Sequence, residues 1–174
     1  ADIANLAQSP ELAFRVQFDG PAPPAATLYW RAMTMSRFDG RAWSQDRRLE
    51  QRVAPSLGTV GEPLSYEVIA EPSGRNWLYS LRGSSSDTPQ VRRLADGTLR
   101  AASPLSSTFA YNATAYSDSQ LQPEGLSPSE QARELQLPAS GDPRTREWAQ
   151  RLRAQYRGDA ELIQAVLRHF ADQP

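Results

Sequence analysis

The chain has 174 residues, 39% of them hydrophobic and 22% charged, with a formal net charge of -1. That is enough apolar material for a packed core, and too little charge excess to attract nucleic acid or an anionic membrane surface. There is no cysteine, all 19 basic residues are arginine, and His169 is the single histidine. Disulfides, thiolate and Schiff-base chemistry, P-loop lysines and metal sites built on several imidazoles are therefore excluded within this stretch.

The first expected element is "AFRVQF" (13–18), where Phe14, Val16 and Phe18 alternate with Ala13, Arg15 and Gln17. Prolines 21, 23 and 24 then break the chain. The next run, 28–37, carries bulky residues at both parities: Leu28, Trp30 and Ala32 against Tyr29, Met33 and Met35. It is expected to be a central strand buried on both faces. Asp39-Gly40 is a strong short hairpin signal that turns this strand back toward Trp43. Further strands are expected at 47–53, 64–71, 77–82, 91–95, 98–102 and 108–117, with Asp96-Gly97 forming a second hairpin turn. Regularly spaced short strands separated by Gly, Pro and Ser predict a mostly antiparallel β-sandwich or partial barrel over about 10–118.

The pattern then changes to helical. "SPSE" places Ser127 as N-cap, Pro128 at the first helical position and Glu130 as the capping-box partner. Asp142-Pro143 opens a second helix with Trp148, Leu152 and Tyr156 on one stripe, and Gly158 closes it. A third begins at Asp159 and carries Leu162, Ile163, Val166, Leu167 and Phe170. The fold class is thus α+β, with two or three helices over about 127–172. The apolar stripe of the third helix continues almost to the last residue, so chain beyond this segment is expected to cover it.

Chemistry is sparse. There is no GxSxG elbow, and "GSSSD" (83–87) reads as a flexible serine-rich loop. Asp39 is better explained by the turn than by acid–base work. Glu67 and Glu71 give no sign of converging, and His169 suits a helix C-terminus. Trp30, Trp43 and Trp77 fit a core better than a ligand groove. Arg31 is expected to stack on an aromatic ring or pair with Asp39. No catalytic residue, metal ligand or cofactor follows from these residues.

"SPELAFRVQFDGPAPPAATLYWRAMTMSRFDGRAW" resembles the opening of the periplasmic region of TgpA-type membrane proteins, transglutaminase-like proteins of Gram-negative bacteria. The matching pattern is an aFRv strand (13–16), lYWRg (28–32), fDGr (38–41) and Trp43, with Ala32 where the family commonly has glycine. "YEVIAEPSGRNWLYSL", "LQLPASGDPRTREWAQRL" and "LIQAVLRHFADQP" agree in order. The resemblance implies a β-rich accessory domain (1–118), followed by a linker and the first helices of a transglutaminase-like domain (119–174). The Cys, His and Asp of that domain would lie beyond residue 174, and His169 is not the triad histidine. It also implies inner-membrane anchoring through segments outside this chain, periplasmic placement, and a missing C-terminal domain and an envelope substrate as partners. The parent's reaction would be acyl transfer or hydrolysis through a thioester. On this reading Trp30, Arg31, Phe38, Asp39, Gly40, Arg41 and Trp43 form a structural motif. Trp148, Leu152, Ile163, Val166, Leu167 and Phe170 are the expected interdomain contact. The alternative is a stand-alone envelope module that binds peptidoglycan or a protein through its aromatic-rich sheet.

Overall fold

The computed structural model describes residues 11–46 and 48–172. Contacts divide the chain into two units, one of Ala1–Arg37 with Ser44–Glu134, the other of Phe38–Trp43 with Leu135–Pro174.

The first unit is built on antiparallel sheets, none of which closes into a barrel. Strands β1 (Phe14–Phe18), β5 (Pro63–Ala70), β10 (Phe109–Tyr116) and β7 (Ser84–Ser85) form a four-stranded sheet in the order β1-β5-β10-β7. A second sheet runs β6 (Trp77–Leu78), β9 (Leu99–Ala101), β8 (Val91–Arg93), and β4 (Leu57–Gly58) pairs with β11 (Gln120–Leu121). Period-two patterning places Tyr66, Val68 and Ala70 of β5 and Tyr111, Ala113 and Ala115 of β10 in one core with Leu78, Val91, Leu99 and Ala101 of the three-stranded sheet. Large and small residues face each other in register, Tyr66 opposite Ala113 and Tyr111 opposite Val68, so the pair fills space without crowding.

Three expectations change. The run 28–37 is not a continuous central strand: Arg31 makes one isolated bridge to Ser80, and only Arg37–Phe38 (β2) is extended in a ladder. Tyr29 is 75% exposed, so only the Leu28 and Trp30 side packs on the core. At 47–53, where Arg47 lies outside the described residues, the chain forms a 3-10 turn over Leu49–Gln51. The Asp46 carboxylate accepts the Arg48 N–H at 3.0 Å and bends the backbone away from a ladder, leaving Leu49 as the buried residue of the turn. Third, "GSSSD" is not a flexible loop: Ser84 is fully buried and pairs with Ala115.

The first unit ends in helix α1 (Pro128–Glu134), which opens with the expected capping box. Glu130 also accepts from Arg52 at 3.2 Å and Gln122 at 3.0 Å, tying the helix start to the 3-10 turn region and β11.

The second unit contains α2 (Pro143–Gln155) and α3 (Asp159–Asp172). Pro143 sits at the helix start as expected, but Asp142 does not cap with its side chain: its φ is +46°, and its backbone carbonyl accepts from Arg146 N–H. Nor does Gly158 end α2, which stops at Gln155. The Gly158 carbonyl instead accepts the Leu162 N–H and opens α3.

Candidate functional site

The motif residues fall into two groups. Trp30 lies against Phe14 at 5.2 Å and Tyr66 at 5.5 Å between ring centroids, edge to face, so it works as a core wedge. Arg31 follows it with its backbone bridged to Ser80, and its half-buried side chain lines a cavity with Thr34, Asp46 and Asp96. Among the described residues Arg31 joins no ion pair and no aromatic stack, so neither partner expected for it is realised.

Phe38, Asp39, Gly40, Arg41 and Trp43 form a hairpin of β2 with β3 (Trp43–Ser44). Asp39 Oδ1 accepts the N–H groups of Arg41 and Ala42, each at 2.8 Å, while the Asp39 N–H donates to the Ala42 carbonyl at 3.2 Å. Those two donors hold the Asp39 carboxyl below its ordinary pKa, and its oxygen is committed to the turn rather than to a substrate. Gly40 has φ +103°, which a Cβ would strain. A Cβ there would also meet the Pro138 ring at 3.7 Å. Phe38 and Trp43 stack at 5.0 Å, and Trp43 is 57% exposed, which corrects the core reading for this tryptophan.

The second group sits on α2 and α3. Trp148, Leu152 and Tyr156 are half-buried as their spacing predicts. Trp148 meets His169 at 4.9 Å and Phe170 at 6.1 Å. Leu162 and Val166 share that partly covered side. Ile163, Leu167 and Phe170 remain 57%, 58% and 62% exposed. A cavity of about 760 Å³ opens among Asp142, Arg144, Glu147, Trp148, Arg151 and His169, and among the described residues no nucleophile there is hydrogen-bonded to a base.

One buried polar cluster of the first unit is hydrogen-bonded for architecture. Tyr66 Oη contacts Ser84 Oγ at 2.7 Å and accepts the Leu81 N–H at 3.0 Å, while Ser84 Oγ donates to the Leu81 carbonyl at 2.8 Å. Burial raises the pKa of Tyr66 and of Tyr111, keeping both phenols neutral. Sequence reasoning missed this cluster because its members are brought together by pairing of strands distant in the chain. It also missed Arg100, a buried charge in β9. Among the described residues no group of His, Cys, Asp and Glu is placed to hold a metal, and no helix is long and apolar enough to cross a membrane.

Comparison with known proteins agrees with the motif order. The family model for the TgpA N-terminal domain matches residues 1–122. A protein-glutamine gamma-glutamyltransferase of Pseudomonas aeruginosa PAO1 is 38% identical over 173 residues, which are 99% of this chain and 26% of that protein. The crystal structure of the periplasmic domain of TgpA from Pseudomonas aeruginosa superposes with a TM-score of 0.91 at 38% identity, over 99% of this chain and 60% of that one. The same domain bound to ethylmercury gives 0.90 at 36%, with the same coverage. The chain therefore spans about a quarter of the curated relative and three fifths of the solved domain. With the FRV strand, the YWR wedge and the FDGR hairpin all in place, the chain belongs to the TgpA N-terminal domain family.

Proposed function

We propose that this chain is the non-catalytic periplasmic accessory region of a membrane-anchored transglutaminase-like protein, and that it positions the catalytic domain of that protein. The observation that carries this reading is the uncovered apolar face of α3, Ile163, Leu167 and Phe170. Burying each such side chain stabilises by about 1.5–3 kcal/mol, so three together favour a permanent partner over solvent. The proposed occupant is the continuation of the same polypeptide. The relative named as a glutamine gamma-glutamyltransferase is almost four times longer than the matched region, and the match reaches through α3. A domain boundary near residue 118 and a thioester-forming Cys beyond residue 174 belong to the same proposal.

The stand-alone binding reading requires an exposed aromatic platform. Trp30 is engaged with Phe14 and Tyr66, and Trp77 is half-buried beneath the Arg75 guanidinium at 5.6 Å. That leaves the Phe38–Trp43 pair as the exposed stack of the motif, too small for a sheet-wide surface.

The test is made on the longer protein encoded around this segment. Leu167→Glu and Phe170→Glu should each lower glutamine acyl transfer while leaving the helix content of the 174-residue chain unchanged. Amide exchange along α3 should be slower in the long protein than in the short chain. Full activity in both variants, with equal exchange in the two chains, would sink the proposal.

A further inference from the structure

Arg100 lies in the middle strand of the three-stranded sheet, opposite Trp77 on one side and Arg92 on the other. It is 3% exposed. A buried guanidinium is ordinarily matched by a carboxylate, because removing a charge from water is costly unless it is paired. Arg100 has no carboxylate partner among the described residues. Its Nη1 donates to the neutral Asn76 Oδ1 at 3.3 Å, and its Nε is buried with no acceptor.

A second orphan stands beside it. The Gln45 Nε2 is also buried without an acceptor, and both side chains line one cavity of about 540 Å³. The other charges around this cavity are already matched. Arg92 is held by the Glu50 carboxylate at 3.1 Å and by the Glu50 carbonyl at 2.9 Å. Asp46 accepts the Arg48 N–H and faces Arg52 at 3.8 Å and Arg133 at 4.0 Å. Among the described residues around the cavity, what is left over is one positive charge and two donors.

We infer that the cavity lined by Arg100 and Gln45 binds a carboxylate, the acceptor these two side chains lack. A carboxylate has two oxygens and a single charge, and it can take donors from a guanidinium and a carboxamide together. Phosphate fits less well, since the Asp46 and Glu50 carboxylates on the same lining oppose a second negative charge. Leu49 is the one apolar residue of that lining, which suits a small polar acid or the free end of a peptide over an apolar ligand. The orphaned atoms are themselves covered, so ligand entry requires the Gln45 side chain to rotate. This site stands independently of the proposal for α3.

The experiment is an NMR titration of the 174-residue chain, reading the Arg100 Nε–H and Gln45 side-chain signals. The probes are acetate, trialanine with a free C-terminus, and trialanine amide. A saturable shift with the two acids and none with the amide is expected. Trialanine binding tighter than acetate identifies a peptide end, and equal affinity identifies a free small acid. Arg100→Gln should weaken binding by about tenfold or more, the size expected for losing a hydrogen bond to a charged group. Because that variant disturbs a buried position, Gln45→Glu is the second arm: it supplies the missing carboxylate from the chain itself, so the melting temperature should rise and the titration should disappear. No saturable shift with either acid, equal shifts with acid and amide, or a lower melting temperature in Gln45→Glu would overturn the inference.

Discussion

Ser127 and Glu130 cap each other: the Ser127 N–H donates to Glu130 Oε2 at 2.9 Å, and the Glu130 N–H donates to Ser127 Oγ at 3.3 Å. The same carboxylate receives the Ser127 hydroxyl at 2.7 Å, Gln122 Nε2 at 3.0 Å and Arg52. The Ser127 bonds are the largest cause of a Glu130 pKa lowered to about 2.

A folded-state pKa below the unfolded value of about 4.5 means that the charged form is favoured by folding. The contribution is complete above pH 4.5 and is lost as the pH falls toward 2. In Glu130→Gln this part of the acid dependence should vanish, so urea midpoints of the variant and the parent chain should differ most near neutrality and converge toward pH 2. A constant gap across that range would show that the carboxylate charge is irrelevant to the cap.

At the Asp39 hairpin the direction is the same, since two backbone N–H groups lower its pKa. Asp39→Ala should speed amide exchange at Arg41 and Ala42 and loosen the Phe38–Trp43 stack. Asp39→Asn, which keeps an oxygen acceptor, should preserve most of the protection at neutral pH. Equal exchange in the alanine variant and the parent chain would mean that Gly40 alone sets the turn.

Tyr66 is the polar centre of the core. Tyr66→Phe keeps the ring contacts with Trp30 and Phe18 but strands the Leu81 N–H, which has no other acceptor in this cluster. Leaving a buried donor unsatisfied costs about 1–3 kcal/mol. Tyr111→Phe removes one bond, to the Tyr79 carbonyl at 2.6 Å, and strands no donor, so it should cost less, about 1 kcal/mol. Chemical denaturation of the two variants tests the ranking.

Legibility in the sequence followed the length of the signal. The strands β1, β5 and β10 were readable because five to eight residues of alternation express which face is buried. The two-residue pairings β4 with β11 and β7 with β10 carry no period of their own. They exist because β10 and the chain after it return past Leu57 and Ser84. The run 28–37 misled because apolar residues at both parities imitate a buried strand, whereas here Trp30 is half-buried against the core and Tyr29 faces solvent. Of the candidate residues, the FDGR turn was legible through its local backbone chemistry. The Arg100 and Gln45 cavity was not, because nothing in the sequence records that a charged side chain in a short strand lacks a partner.

Gly83 shows how tightly the chain after Leu81 is packed. Its φ is +70°, and a Cβ built there would fall 1.6 Å from Ser119 Oγ and 2.4 Å from Ser119 Cβ. Gly125 has a similar φ, +86°, with nothing within 4 Å of the same construction. Gly125→Ala should therefore cost only the left-handed backbone penalty of about 1–2 kcal/mol. Gly83→Ala adds a clash to that penalty, and overpacking of this kind costs about 1–3 kcal/mol more. Ser119→Gly in the Gly83→Ala background removes both close atoms and leaves Tyr116 O at 3.5 Å, an ordinary contact. The double variant should then recover stability toward that of Gly125→Ala in urea denaturation, after allowance for Ser119→Gly alone. No recovery would place the whole cost of Gly83→Ala in its backbone angle.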